Sequence, residues 1–148
     1  MSKFGSLSVD TASKSKMPII LPGEIDPVQD EAGKEGYIEF LPWDSEPGRA
    51  FDRKQNSQAR RNGFRQRSRA ELLAEAESTD IVVEQAERLA ALATGWHLVG
   101  ADRQVIDVEF SPSNALELFK SPETAWLRRQ SWVYVANEAN FMKNSSKP

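Results

Sequence analysis

The chain contains no cysteine and only one histidine, His97, and these shortages restrict the chemistry that it can carry. Without cysteine there is no disulfide framework and no thiolate site. Metal sites usually need several ligands at suitable spacing, and a lone histidine does not supply them. No Gly-x-Ser-x-Gly turn is present, and Gly33, Gly36 and Gly48 stand alone rather than in a phosphate-binding loop. We therefore expect no catalytic, metal or cofactor site, and we expect that the protein is not an enzyme.

Long hydrophobic runs are also missing. No stretch approaches the roughly 18 to 20 apolar residues that a membrane-spanning helix needs. The first ten residues, MSKFGSLSVD, lack the apolar core of a secretory signal peptide. Together with the absence of cysteine, these features predict a soluble, intracellular protein without a membrane partner.

The formal net charge of −3 conceals two blocks of opposite sign. Residues 49–69 contain eight Arg or Lys and one acid, Asp52, whereas residues 70–90 contain six acids and one Arg, Arg88. Blocks of this kind indicate charged partners or pairing of the two segments with each other.

The basic block allows a nucleic-acid interpretation, because Phe51 and Phe64 alternate with arginines. No zinc-finger, homeodomain or RNA-recognition signature accompanies it, and the sequence pI of about 5.3 argues against nucleic acid. Protein partners or internal pairing are the preferred interpretation, and nucleic-acid binding through residues 49–69 is the alternative.

Two segments have the alternation of short strands. In residues 37–41 the polar and apolar positions alternate and end at Pro42, and residues 105–110 (VIDVEF) repeat this pattern. We expect these segments to pair as a two-stranded β element. Residues 1–35 show no helical period, and we expect a flexible, mostly irregular N-terminal arm. Its one brief apolar patch, MPIILPGEID, is a candidate for a short edge strand.

The strongest helical period lies in the centre of the chain. Apolar residues recur there at spacings of four, three, four and three, which places them on one helical face: Val82, Ala86, Leu89, Ala93 and Trp96. We expect this helix to end near Gly95, with Trp96 buried as its anchor. His97 would then lie at the helix end, where a cation satisfies the last carbonyls, and would have a structural role.

Two further helices are predicted near the C-terminus. Ser111 precedes Pro112 as an N-cap, and Ser121 precedes Pro122 in the same way, so helices should cover 112–120 and 122–141. The predicted fold is therefore mainly α: a small helical domain over 36–141 with a short two-stranded β element. A flexible N-terminal arm over 1–35 and a polar tail over 142–148 flank it.

The order of motifs in residues 70–148 resembles the tail assembly chaperones of long-tailed bacteriophages. The matching pieces, in chain order, are Gly95-Trp96, Phe110-Ser111-Pro112, Trp126-Leu127, Asn140-Phe141 and Ser145-Ser146-Lys147. The basic block fits the pattern more loosely, and residues 1–35 hardly fit it.

The resemblance implies a chaperone that binds the apolar tape-measure protein, keeps it soluble and helps to recruit tail-tube protein, without catalysis. It also implies a place in the host cell cytoplasm and absence from the mature virion, with self-association left open. Two alternatives remain: a nucleic-acid-binding phage regulator that uses residues 49–69, and a structural adaptor in the virion tail or neck. The candidate partner-binding residues are Phe51, Phe64, Arg65 and Arg128.

Overall fold

A three-stranded antiparallel sheet and four α-helices make up the part of the chain that the structure describes. The structure is a computed structural model, and it describes residues 12–62 and 79–142, without the side chains of 58–62, 79 and 80. The strands are β1 (Ser15–Pro18), β2 (Tyr37–Phe40) and β3 (Ala93–His97). The α-helices are α1 (Glu46–Asn62), α2 (Thr79–Leu92), α3 (Pro112–Lys120) and α4 (Ala125–Ala136). Short 3-10 turns cover Pro122–Thr124 and Glu138–Phe141.

The sheet corrects the predicted fold class. Its strand order is β1-β2-β3, and Ile38 of β2 lies opposite Met17 on one side and Trp96 on the other. Ile38 and Phe40 are fully buried, while the alternate residues Tyr37 and Glu39 are half-buried. A sheet with one face covered by helices makes this a mixed α/β fold. The expectation of a mainly α domain with two strands is wrong.

The predicted pairing of residues 37–41 with residues 105–110 is wrong. Residues 93–97, expected to finish a helix, pair with β2 as β3, although the predicted helix is correct as far as Leu92. The carbonyl of Leu92, the last residue of α2, accepts a hydrogen bond from the backbone N–H of Leu41 at 2.9 Å. Because the sheet satisfies this helix-end carbonyl, α2 continues directly into a strand without a glycine cap.

Residues 105–110 run beside the end of β3 without forming a regular ladder. Val105 forms an isolated bridge with Val99, and the N–H of Ile106 donates to the Leu98 carbonyl at 2.8 Å. The side chains of Val105, Ile106 and Val108 remain exposed. Alternation alone did not distinguish this exposed extended segment from a paired strand.

The N-terminal segment is part of the domain from β1 onward. Met17 and Ile19 are 1% and 2% exposed, and the pairing of β1 with β2 crosses the boundary that had been expected at residue 35. The side-chain amide of Gln130 accepts from the N–H of Ile20 at 3.3 Å and donates to its carbonyl at 3.2 Å. The expected irregular arm is therefore wrong for these residues, while residues 1–11 lie outside the described part.

The core lies between the sheet and α2, α3 and α4. The rings of Phe40 and Phe119 face each other with centroids 6.1 Å apart, and Leu89 and Leu92 of α2 are fully buried beside them. Full burial of each such side chain contributes about 1.5–3 kcal/mol. Trp96 is partly buried and packs against this core, although it does so from β3 rather than from the end of a helix.

The C-terminal helices follow the prediction in part. α3 covers 112–120 as predicted, and the Ser111 hydroxyl accepts from the Asn114 N–H at 3.0 Å as its N-cap. The predicted helix over 122–141 is shorter, because it ends at Ala136 and Asn137 caps the following turn through Ala139. The buried side chains of α4 are Leu127, Ser131 and Val135, and the polar Ser131 obscured this period in the sequence.

Arg88 connects α2 to α1. Its guanidinium lies over the Trp43 ring at 4.2 Å and the Phe51 ring at 4.5 Å, and it forms a salt bridge with Asp52. Arg88 is the one arginine of the acidic block, and Asp52 is the one acid of the basic block. The observed pairing between the two charge blocks thus joins the residue of each block whose charge is opposite to that of the rest of the block.

Gly48, in the first turn of α1, is the site of a first prediction. Alanine in a helix normally gains about 0.5–1 kcal/mol over glycine. Here, however, an added Cβ would lie 1.9 Å from the Trp43 carbonyl oxygen and 3.3 Å from Leu92 Cδ2. The clash should dominate, so we expect Gly48→Ala to lower the free energy of unfolding by about 2–3 kcal/mol, measured by urea denaturation.

Gly95→Ala is the matched control, because a Cβ there would meet only Glu39 Oε1 at 3.9 Å. We expect Gly95→Ala to keep the urea midpoint close to that of the parent. If Gly48→Ala were as stable as the parent, the close approach of α1 to the Trp43 backbone would be refuted.

A second prediction separates the packing of Arg88 from its charge. Arg88 is 6% exposed, and its Nη1 has no hydrogen-bond partner among the described residues. Arg88→Met keeps apolar contact between the two rings and removes this unpaired donor, so it should change the free energy of unfolding by no more than about 1.5 kcal/mol. Arg88→Ala leaves a cavity and should cost about 2–4 kcal/mol. Equal losses in both variants would show that the charge, rather than the packing, holds α1 to α2.

Candidate partner-binding groove

An open apolar groove of about 410 Å³ lies beside the sheet. Four parts of the chain line it: residues 19–24 after β1, residues 98–101 after β3, Ile106, and residues 118–127 around the start of α4. In the described ranges Glu24 is the one charged residue of the lining, and the Thr124 hydroxyl donates to the Leu118 carbonyl at 2.7 Å. The volume falls within the range of about 300–1,000 Å³ that is typical of ligand pockets.

The groove owes its apolar surface to the ends of regular elements. Leu98 and Val99 follow β3 directly and are buried, whereas Leu118 and Trp126, from α3 and α4, are half-buried. Ile106 is 47% exposed at the rim. Buried residues thus form the base of the groove, and partly exposed apolar side chains surround it, which is the pattern of a surface that binds apolar groups.

Asp30 fixes the segment that flanks the groove. Its Oδ1 accepts hydrogen bonds from the N–H groups of Ala32 and Lys34 at 2.9 Å each, and its Oδ2 lies 3.0 Å from His97 Nε2. The Lys34 N–H, followed by His97, lowers the pKa of the Asp30 carboxyl below its ordinary value of 3.8. The carboxylate therefore holds its own turn and binds that turn to β3.

Arg103 binds the same segment from the other side. It has a positive φ of 64° in the turn after β3, and its guanidinium donates to the carbonyls of Gln29 at 3.3 Å and Asp30 at 3.1 Å. Gln104 donates to the Glu31 carboxylate at 2.6 Å. We refer to Asp30, His97 and Arg103 with these contacts as the Asp30 cluster. It joins residues 29–34 to residues 97–104, which contribute the base of the groove.

His97 therefore occupies a different place from the one predicted. It lies in β3 rather than at a helix end, so the expected contact with helix carbonyls is wrong. Its ring pairs with Asp30 and packs near the Tyr37 ring, with centroids 6.2 Å apart. This geometry assigns His97 a role in positioning the segment around Asp30.

A second depression, of about 520 Å³, continues from the groove. The two share Leu21, Glu24 and Ala101, and the second also contains Asp26, Glu35 and Arg103. We call this region the acidic depression. A ligand that leaves the apolar groove on this side therefore meets carboxylates.

The predicted partner-binding residues do not line the groove where the structure describes them. Phe51 is buried against Arg88, and Arg128 is half-buried with its Nε donating to Gln85 Oε1 at 3.1 Å. Phe64 and Arg65 lie outside the described residues. Residues 49–69 are described only in part, and there Arg49 donates to the Asp44 carbonyl while Arg53 pairs with Glu46.

The groove residues come from distant segments of the chain, so no local sequence pattern predicts that they share one surface. The apolar patch MPIILPGEID and the alternating VIDVEF were both recognised, but as candidate strands. In the structure Ile19 and Leu21 from the first and Ile106 from the second meet at one surface. What the sequence does show is that these three residues are apolar and do not belong to any helical period.

Most of the motifs that carry the family resemblance make defined contacts within the domain. The Trp96 ring meets Phe110 edge-on at 5.1 Å, and its indole N–H donates to the Val108 carbonyl at 2.9 Å. Asn140 donates to the Tyr134 carbonyl at 2.9 Å, while Phe141 is buried. Trp126 and Leu127 line the groove. Four of the five motifs thus have a structural explanation, and Ser145-Ser146-Lys147 lies outside the described residues.

Comparisons of the chain with known protein families, with curated proteins and with solved structures give no match. In the described ranges, no three His, Asp or Glu side chains are grouped closely enough to hold a metal ion. No helix in these ranges is both long and apolar enough to span a membrane. The function has to be inferred from the groove and its surroundings.

The lowered pKa of Asp30 gives a third prediction. Because the folded protein holds the proton less tightly than the unfolded chain does, the contribution of Asp30 to stability is present above its ordinary pKa of 3.8. That contribution should be lost as the pH falls through the lowered value. We expect Asp30→Asn to have a lower urea midpoint than the parent at pH 6, and this difference should shrink toward pH 3.

Asp26→Asn is the control on the same segment, because Asp26 is exposed and forms none of the hydrogen bonds or the salt bridge of the Asp30 cluster. It should leave the pH dependence of the urea midpoint unchanged. A difference between Asp30→Asn and the parent that stayed constant from pH 6 to pH 3 would contradict the assigned role of the carboxylate.

Proposed function

We propose that the protein is a non-catalytic tail assembly chaperone that binds apolar helical segments of a phage tape-measure protein and keeps that protein soluble. The observation that supports this proposal is the apolar groove lined by residues 19–24, residues 98–101, Ile106 and residues 118–127. Exposed apolar side chains continue beyond it at Val105 and Val108. The motif order of residues 70–148 gives independent support for the family.

The energetics suit reversible binding. Covering about 400 Å² of apolar surface is worth roughly 10 kcal/mol at about 25 cal/mol per Å² before any costs. Loss of translational and rotational freedom and ordering of the partner consume much of that gain. The remaining affinity is modest, which a chaperone needs because tail-tube protein must later displace it.

A helix is the preferred form of the bound segment. Several backbone groups around the groove already have partners: the Ile106 N–H donates to the Leu98 carbonyl, the Ile19 N–H to the Gly36 carbonyl and the Val28 N–H to the Ile19 carbonyl. An extended peptide buried there would leave its own N–H and C=O groups without partners, which is costly. A helix satisfies its own backbone and presents apolar side chains in one stripe.

The fourth prediction tests the groove with Ile106→Asp. A carboxylate at the rim would have to be desolvated on binding, so this variant should fold normally and lose the ability to keep its partner soluble. Ile81→Asp is the matched control, because Ile81 on α2 is 43% exposed against 47% for Ile106 and does not line the groove. The measurement is the soluble yield of the tape-measure protein from the same genome when it is co-expressed with each variant.

We expect the parent and Ile81→Asp to raise this yield several-fold and Ile106→Asp to raise it little. Equal yields with both variants, with circular dichroism unchanged, would refute binding through the groove. Finding the chain at stoichiometric levels in purified virions would refute the chaperone proposal and favour a structural adaptor of the tail or neck.

A further inference from the structure

The groove and the acidic depression form one continuous surface with a divided character. Leu21, Glu24 and Ala101 belong to both, so the same residues border apolar side chains on one side and carboxylates on the other. A segment long enough to fill the groove therefore extends over Glu24 toward Asp26 and Glu35. The charge of that segment affects binding as well as its apolar content.

The carboxylates of the acidic depression are not neutralised within the described chain. Glu24, Asp26 and Glu35 form no salt bridge with any described residue, and the side chains of all three are exposed. Among the described residues that line the depression, Arg103 is the one cation, and its guanidinium donates to the backbone carbonyls of Gln29 and Asp30. The depression thus presents three carboxylates against one cation, so it favours a positively charged ligand.

We propose that the groove selects a basic amphipathic helix, in which apolar residues fill the groove and Lys or Arg residues next to them lie over Glu24, Asp26 and Glu35. This proposal rests on the proposed function, because it specifies the chemistry of the segment that the groove takes. On a helix, a basic residue three or four positions from an apolar one lies one turn away on the same side. With that spacing, one helix can place apolar side chains in the groove and basic side chains over the carboxylates of the acidic depression.

The charge contributes mainly to selectivity. Exposed carboxylate–ammonium pairs are individually weak and are screened by salt over about 8–10 Å. An acidic helix would instead bring like charges together over the same three carboxylates. The difference between a basic and an acidic helix is therefore larger than the affinity gained from any one pair.

The test uses two synthetic peptides of about 18 residues, about 27 Å long as helices. Both carry the same leucine stripe, with lysine at every charged position of one and glutamate at every charged position of the other. Binding to the full chain is measured by isothermal titration calorimetry at low and at physiological salt. We expect the lysine peptide to bind at least about tenfold more tightly than the glutamate peptide, with a smaller ratio at higher salt.

Two variants test whether the acidic depression is responsible for the preference for the lysine peptide. The double variant Glu24→Lys, Asp26→Lys should abolish or reverse the preference while the leucine stripe still binds. The control Glu84→Lys removes an exposed acid of α2 that lines neither region. It should keep most of the preference.

The outcomes separate this inference from the proposed function. Equal binding of both peptides, with loss of both in Ile106→Asp, would overturn the charge selectivity and leave the apolar groove as the binding site. Binding of the lysine peptide that survives Ile106→Asp would overturn the inference by placing the site elsewhere. An equal loss of preference in Glu84→Lys would overturn it in favour of net charge alone.

A second copy of the chain is the remaining competitor for the groove. Sedimentation velocity of the parent and of Ile106→Asp distinguishes the two cases. We expect both to sediment as monomers at the concentrations used for the titrations. A dimer of the parent that Ile106→Asp dissociates would overturn the proposal, because the groove would then be a self-association surface.

Discussion

The pairing of β3 with β2 is the interaction on which the rest of the structure depends. It takes up the last carbonyl of α2 through Leu41 and so fixes the helix that carries the centre of the core. It also places His97 within 3.0 Å of Asp30 and leads the chain into Leu98 and Val99 at the base of the groove. The hydrophobic core, the Asp30 cluster and the groove therefore all depend on this strand pairing, and its loss would affect all three.

The distribution of charge is also related to a contact inside the domain, the one between α1 and α2. Within the described residues, the buried salt bridge between the blocks of residues 49–69 and 70–90 joins Asp52 and Arg88, the one acid of the first block and the one arginine of the second. A buried cation needs a counter-ion and also surroundings that compensate for its lost hydration. For Arg88, the faces of the Trp43 and Phe51 rings provide these surroundings through cation–π contact. Phe51, predicted to bind a partner, is thus already committed within the domain.

Local signals were sufficient where a feature depends on neighbouring residues. Ser111 and Pro112 correctly marked the start of α3, and the period of Ala86 and Leu89 correctly gave the buried face of α2. The same signals failed where a distant segment competed for the backbone. Ala93 and Trp96 continue the helical period in the sequence, yet their backbone pairs with Phe40 and Ile38 of β2, and the strand forms instead of the helix.

The sequence by itself determined the charge blocks, the scarcity of cysteine and histidine side chains for a catalytic or metal site, the position of α3 and the buried face of α2. These properties are set by composition or by residues within one or two helical turns. Only the tertiary structure decided that Met17 and Ile19 belong to the core, that His97 meets Asp30, and that Leu21, Ile106 and Trp126 border one groove. The physical reason is that burial and hydrogen bonding act on distance in space, whereas periodicity and capping act along the chain.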